Sequence, residues 1–235
     1  MRVEKIPSCS VVIAAAGSSS RMNGTDKLFV NIPDSPVLAY TLAMFQISEY
    51  INEIVIVARE DKIDSVIDIC RKYGINKASK VIIGGATRLE SVSNGVFSVS
   101  RKAGLIAIHD GARPCIDLET IERTVKAAAK RHAAAPAIPL SSTVKRVKDD
   151  TIVETVDREG LYEVQTPQVF KTELIKAALI KARRQAVEIT DDCMAVELIG
   201  VHPQIVEGSV CNIKLTTGDD LVIAEALLKR MTEDR

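Results

Sequence analysis

Two cations that follow a run of small residues are the side chains in this chain best placed to do chemistry. In V-V-I-A-A-A-G-S-S-S-R-M-N-G-T-D-K (Val11–Lys27) an uninterrupted apolar run breaks at Gly17 into small hydroxyl residues, and Arg21 and Lys27 follow. Small side chains let backbone N–H groups approach an anion, and the cations supply charge, so the stretch has the makings of a phosphate site. Its spacing matches neither G-x-G-x-x-G nor G-x-x-x-x-G-K-[ST]. Taken alone it points to an anionic ligand, with an ordinary strand-to-helix turn as the plainer reading. Two further loops bring charge and small residues together: Gly84–Arg88 (G-G-A-T-R) and Asp110–Arg113 (D-G-A-R).

The elements around these loops explain how they could meet. Apolar runs alternate with helical patterns: strands at Val11–Ala15, Ile54–Ala58, Val81–Ile83, Leu105–Ile108 and Ala135–Pro139. Between them lie helices at Pro36–Phe45, Asp61–Lys72, Thr87–Ser98 and from Asp117 to Lys130. Pro36 suits a first helical turn, and Thr87 with Glu90 three residues on reads as a capping box. Such alternation predicts a parallel sheet wound with helices on its faces, with ligands beyond the carboxyl ends of its strands. All three polar loops fall at such ends and should converge on one crevice. After Pro139 the alternation stops. Thr143–Val156 interleaves short apolar residues with charge around Asp149-Asp150, which predicts a hairpin with too little apolar surface to stand alone. Q-T-P-Q-V-F (Gln165–Phe170) leads back, helices follow at Lys171–Arg183 and Asp191–Leu198, then a strand at Gln204–Glu207 and a helix from Thr217.

Composition narrows the function classes. With 235 residues, 46% hydrophobic and 26% charged, the chain can bury a sizeable core as one α/β domain or a domain with an appendage. Lysine plus arginine equals aspartate plus glutamate, 31 against 31, which argues against a bulk electrostatic partner such as duplex nucleic acid or an anionic membrane. The five cysteines are never in C-x-x-C and read as small buried hydrophobes in a reducing compartment. No apolar run approaches membrane-spanning length and the first residues lack a signal-like core, so a cytoplasmic location is expected.

Several stretches, taken together and in order, resemble the 2-C-methyl-D-erythritol 4-phosphate cytidylyltransferase family of the non-mevalonate isoprenoid pathway. They are A-A-A-G-S-S-S-R-M with Lys27, G-G-A-T-R-L-E-S-V (Gly84–Val92), H-D-G-A-R-P (His109–Pro114), T-V-D-R-E-G-L (Thr155–Leu161), T-P-Q (Thr166–Gln168), I-T-D-D (Ile189–Asp192) and N-I-K (Asn212–Lys214). The resemblance runs from about residue 9 to 230. It implies an α/β, Rossmann-like nucleotidyltransferase fold with a mostly parallel sheet, helices on both faces and a projecting β-arm. Residues 1–235 would form a single domain, with the arm at about 141–164 exchanged between the subunits of a homodimer. The implied reaction is attack of the methylerythritol phosphate on the α-phosphorus of CTP, releasing pyrophosphate, with Mg²⁺ held mainly by the CTP phosphates.

The nucleophile in that reaction is already an anionic phosphate oxygen, so no general base is needed. Catalysis should rest on positioning and charge neutralisation. By resemblance, Arg21 and Lys27 are the catalytic pair on the triphosphate. Ala15, Ala16, Gly17, Gly85 and Ser91 match the pocket for cytosine and ribose. Asp110, Arg113, Thr166, Thr190 and Lys214 match the site of the second substrate, Asp110 accepting from hydroxyls and the others gripping phosphate. Thr143 and Arg158 match contacts made from the partner's arm. Plainer roles compete at some positions: Thr190 as the N-cap of the following helix, Asp191-Asp192 as N-terminal helix charge, and His109, His132 and His202 as structural residues.

The chain departs from the family pattern in places. Ser19 stands where a second glycine is common, and one residue fewer separates Arg21 from Lys27 than in some members. Ala86 stands where an acidic residue often follows the two glycines, and Ser142 where aspartate often precedes the arm threonine. The nearest alternative is a ribitol 5-phosphate cytidylyltransferase, which shares fold, nucleotide loops and arm; T-V-D-R and H-D-G-A-R-P favour the methylerythritol phosphate. A glycosyltransferase should carry an Asp-x-Asp metal site, and none occurs. A non-catalytic nucleotide-binding protein would have no reason to keep both Arg21 and Lys27.

Overall fold

The run that opens the sequence becomes β1 (Cys9–Ala15), the strand around which the sheet is built. It pairs in parallel with β2 (Glu53–Ala58) on one side and β4 (Leu105–Asp110) on the other, and β3 (Ala78–Ile83) extends the sheet beyond β2. A computed structural model describes residues 6–17 and 26–233. Successive residues of β1 point to opposite faces, as a pleated strand requires. Val11 and Ile13 enter one apolar core with α1 (Val37–Ile47), α2 (Ile63–Lys72), α4 (Leu118–Arg131) and α7 (Gly218–Glu233). Val12 enters the other with α3 (Arg88–Ser98), α5 (Thr172–Gln185) and α6 (Asp192–Glu197). A strand buried on both faces explains why its sequence shows no alternation. Helix α3 lies so close to the sheet that a Cβ on Gly95 would stand 2.3 Å from a methyl of Val12.

The sheet is parallel around β1 but not throughout. β9 (Gln168–Lys171) runs antiparallel between β4 and β5 (Ala133–Pro139), and β8 (Tyr162–Val164) pairs antiparallel with the distal half of β5. β10 (Gln204–Glu207) closes that edge, parallel to β5. The sequence alone predicts no strand at β8 or β9. The fold is α/β with a mostly parallel sheet and helices on both faces.

The predicted hairpin is present. β6 (Val144–Lys148) and β7 (Thr151–Val156) form a two-stranded sheet of their own, turned by Asp149 and Asp150, both with positive φ (47° and 57°). Two consecutive left-handed residues are what a tight two-residue hairpin turn requires, and aspartate tolerates that conformation. Val147, Ile152 and Val153 remain more than half exposed. Cys9, Cys115 and Cys193 are buried free thiols, whereas Cys70 and Cys211 are half-buried. No helix among the described residues is long and apolar enough to cross a membrane.

Candidate active site

The carboxyl ends of β1, β3 and β4 open into one cleft of about 250 Å³. Ala14, the penultimate residue of β1, lies beside Asp110, the last residue of β4, and its carbonyl accepts the Gly111 N–H at 3.0 Å. Ala16 and Gly17 line the cleft, while the side chain of Ala15 packs into the core beneath it. Ala15, expected in the nucleotide pocket, therefore does not line the cleft.

The Gly84–Arg88 loop forms the facing wall. Ser91 holds its shape: the Gly85 N–H donates to Ser91 Oγ at 3.0 Å, and the hydroxyl donates to the Gly85 carbonyl at 3.3 Å. The expected capping box is formed, with Glu90 also accepting from the Ala86 N–H at 2.8 Å. A Cβ on Gly84 would stand 2.5 Å from Cβ of Ala16, so the two loops approach closely only because both residues are small.

Charge enters from two directions. Lys27 sits on a short 3₁₀ turn (Lys27–Phe29) capped by Asp26, which pairs with Arg59 at 3.0 Å. The Lys27 ammonium donates to the Leu215 carbonyl at 2.6 Å, and the Leu215 N–H donates to the Ala112 carbonyl at 2.9 Å. The N-I-K segment is thereby strapped to the H-D-G-A-R loop, with Lys27 over the join. Lys214 reaches Asp110 at 2.9 Å, and the Arg113 Nε lies 3.4 Å from the same carboxylate oxygen. Burial would push the Asp110 carboxyl up, but Lys214 and Arg113 outweigh it and hold it down at about 2. Asp110 is thus an ionised acceptor.

Arg88, on the cleft wall, makes a bidentate pair with Asp192 at 3.0 and 2.6 Å. Asp192 is fully buried, and burial pushes its carboxyl up against the pull of Arg88. Gln168 completes this joint by accepting from the N–H groups of Asp192 and Cys193 and donating to Asp191. Asp191 itself caps α6, accepting from the Met194 N–H at 2.9 Å. The cap is therefore Asp191 and not Thr190. Asp192 is not exposed helix charge but half of a buried ion pair, because Arg88 from α3 reaches it.

The search for known relatives gives a consistent answer. Residues 9–230 match the model of the IspD family, 2-C-methyl-D-erythritol 4-phosphate cytidylyltransferase. The chain belongs to this family. It is 44% identical to the 2-C-methyl-D-erythritol 4-phosphate cytidylyltransferase of Halalkalibacterium halodurans, over 93% of this chain and 96% of that one. Its fold matches the crystal structure of 4-diphosphocytidyl-2C-methyl-D-erythritol synthase from Anaerococcus prevotii, with a TM-score of 0.84 and 32% identity over 95% and 97% of the two chains. The crystal structure of the Thermus thermophilus cytidylyltransferase superposes with a TM-score of 0.79 and 32% identity, over 94% of this chain and 98% of that one.

Within this cytidylyltransferase fold the expected site residues other than Ala15 and Arg21 fall into three groups. Ala16, Gly17, Lys27, Gly85, Ser91, Asp110 and Lys214 line the one cleft. Arg113 and Thr166 lie just beneath it, buried, both bonded to Asp110: Arg113 through its side chain and Thr166 by accepting the Asp110 N–H at 3.2 Å. Thr143, Arg158 and Thr190 are exposed and do not line the cleft; Arg158 donates to the Ser141 carbonyl on its own arm. Arg21 and Ser19 lie outside the described residues. The pairing of Arg88 with Asp192 is not legible in local motifs, because the two residues stand 104 positions apart.

Proposed function

We propose that this chain couples CTP to 2-C-methyl-D-erythritol 4-phosphate, giving 4-diphosphocytidyl-2-C-methyl-D-erythritol and pyrophosphate, in a site that a partner's arm completes. The observation that carries the reading is the cleft at the strand ends, where Lys27, Arg88 and Lys214 stand around one ionised carboxylate, Asp110. A phosphate oxygen of the polyol phosphate attacks the α-phosphorus; the new P–O bond forms as the bond to the β-phosphate oxygen breaks and pyrophosphate leaves. No proton has to be removed from the nucleophile. The protein's task is to hold two polyanions together and to offset charge as it grows on the α-phosphoryl and leaving oxygens. Lys27 and Arg21 do so on the triphosphate side. Asp110 accepts from hydroxyls of the polyol, and Lys214 faces its phosphate. The small-residue walls at Ala16, Gly17 and Gly85 leave backbone groups to read the cytosine edge.

The one described carboxylate of the cleft is already bonded to Lys214 and Arg113, so the described lining leaves Mg²⁺ to be held by the triphosphate that brings it in. When bound, that ion offsets phosphate charge and keeps much of its water shell. The arm, about residues 141–164 of a single domain, extends to a second copy. Its exposed Val147, Ile152 and Val153 support a partner there, and Thr143 and Arg158 then reach the polyol phosphate across the dimer. The half-buried and buried free thiols suit the cytoplasm.

Pyrophosphate release measured with CTP and each polyol phosphate in parallel tests the assignment. Turnover of the methylerythritol phosphate well above that of ribitol 5-phosphate is expected. The reverse ranking would assign the chain to the ribitol substrate, and no release with either would make it a binding protein.

A further inference from the structure

His109, immediately before Asp110, is fully buried, and its ring meets Phe45 edge-on at 4.8 Å between centroids. Its Nε2 lies 3.4 Å from the Arg113 carbonyl oxygen. A carbonyl can only accept, so this contact is a hydrogen bond only when Nε2 carries the proton. Its Nδ1 lies 2.9 Å from Thr166 Oγ1. In a neutral ring protonated at Nε2, Nδ1 is an acceptor, and the single proton of the Thr166 hydroxyl must point to it. Thr166 Oγ1 then accepts the Asp110 N–H at 3.2 Å, and its remaining surroundings are fixed through its backbone, whose carbonyl accepts from Asn212 at 2.8 Å. A cationic ring would reverse this chain, but burial pushes the imidazole down to about 3; Asp110 beside it favours the charge and Arg113 opposes it. Nothing local in H-D-G-A-R-P shows this arrangement, since Thr166 lies 57 positions further on.

We propose that His109 is a positioning residue: by accepting the Thr166 hydroxyl proton at Nδ1, it commits Thr166 to hold the Asp110 backbone at the end of β4. The Thr166 proton is then committed inward and does not donate to substrate phosphate, which changes the part that the family resemblance gives Thr166. The consequence for function rests on the reading of Asp110 as the acceptor for the polyol. Asp110 meets that substrate at one height and one orientation because the peptide before it cannot rotate.

The direct test is the tautomer of His109 in the ¹⁵N-histidine-labelled protein, read by two-bond ¹H–¹⁵N correlation. The chain has three histidines, and variants at His132 and His202 assign the signals. An Nε2–H tautomer, unchanged between about pH 5 and 8 and unchanged on saturation with CTP and the polyol phosphate, is expected. An Nδ1–H tautomer, a ring that titrates in that range, or a switch of tautomer when the polyol phosphate binds would overturn the proposal. The last would show Thr166 turning its proton outward. Kinetics give the second reading. Thr166→Val should raise the KM for the polyol phosphate about tenfold while that for CTP stays within about twofold, and Thr166→Ser should restore it. His109→Asn keeps an acceptor near Nδ1 and should be milder than His109→Gln, which does not. A Thr166→Val enzyme with both KM values unchanged would also overturn the proposal. If the wild type turned over no polyol phosphate, the functional reading would fail while the tautomer still decided the structural one.

Discussion

Lys27 and Asp110 carry opposite charges into the same cleft, and each should be felt under a different condition. Lys27 donates to a backbone carbonyl in this structure and lines the cleft, which the proposed function fills with triphosphate. Its effect should be largest when the triphosphate charge is greatest, in the transition state. Lys27→Ala is expected to lower kcat about 10²–10³-fold with a smaller rise in the KM for CTP. Steady-state kinetics decide it, and an unchanged kcat with a weakened KM would make Lys27 a ground-state binder. Asp110 should show itself in acid. Its folded carboxyl is held at about 2, below its ordinary value, so the ion pairs with Lys214 and Arg113 stabilise the fold above the unfolded pKa. That contribution is lost as pH falls through about 2. Urea midpoints measured from about pH 5 to 2 should therefore fall less steeply for Asp110→Asn than for the wild type. Parallel slopes in the two proteins would show that Asp110 is not held down.

At the scale of elements, the joint between α3 and α6 is the least replaceable connection near the site. Asp192 is fully buried while the Arg88 side chain is 30% exposed, so removing Arg88 leaves a buried carboxylate without compensation, whereas removing Asp192 leaves a guanidinium that solvent still reaches. Arg88→Ala should cost about 3–5 kcal/mol in denaturant unfolding and Asp192→Ala less, and an apolar pair at both positions should recover part of the loss. A loss under about 1 kcal/mol would mean that water already screens the pair. This joint also marks where reading the sequence stopped. The parallel half of the sheet is legible because β1, β2 and β4 are buried on both faces and read as continuous apolar runs. The capping box of α3 is legible because its partners are three residues apart. β9 was not. It is four residues long with polar residues at its ends, and its buried Gln168 is there to cap α6, a reason that exists only in three dimensions. The three residues of β8, Tyr162-Glu163-Val164, are all exposed and too few for an alternation to register. Lys27, Asp110 and Lys214 could be picked out as site residues from motif order, but the strap that joins them, Lys27 to Leu215 to Ala112, runs through backbone carbonyls that no side-chain pattern records.

At the scale of the whole molecule, the cleft and the arm have to be read together. One chain gathers its small-residue loops and Asp110 in a single cleft, while Thr143 and Arg158 stay exposed just outside a hairpin whose apolar residues are uncovered. An exchanged arm joins these two facts, with Arg158 of one subunit in the site of the other. Lys27→Ala and Arg158→Ala homodimers should then both be nearly inactive. In a mixed dimer of the two variants, one site carries both lesions and the other carries neither, since its cleft comes from the Arg158 variant and its arm from the Lys27 variant. The decisive measurement is pyrophosphate release by such a dimer, made by co-expressing the variants with different tags and isolating the doubly tagged species. Exchanged arms should recover about half the wild-type activity, one intact site in two. Activity no higher than that of the parents would place Arg158 in the site of its own chain and contradict the exchange.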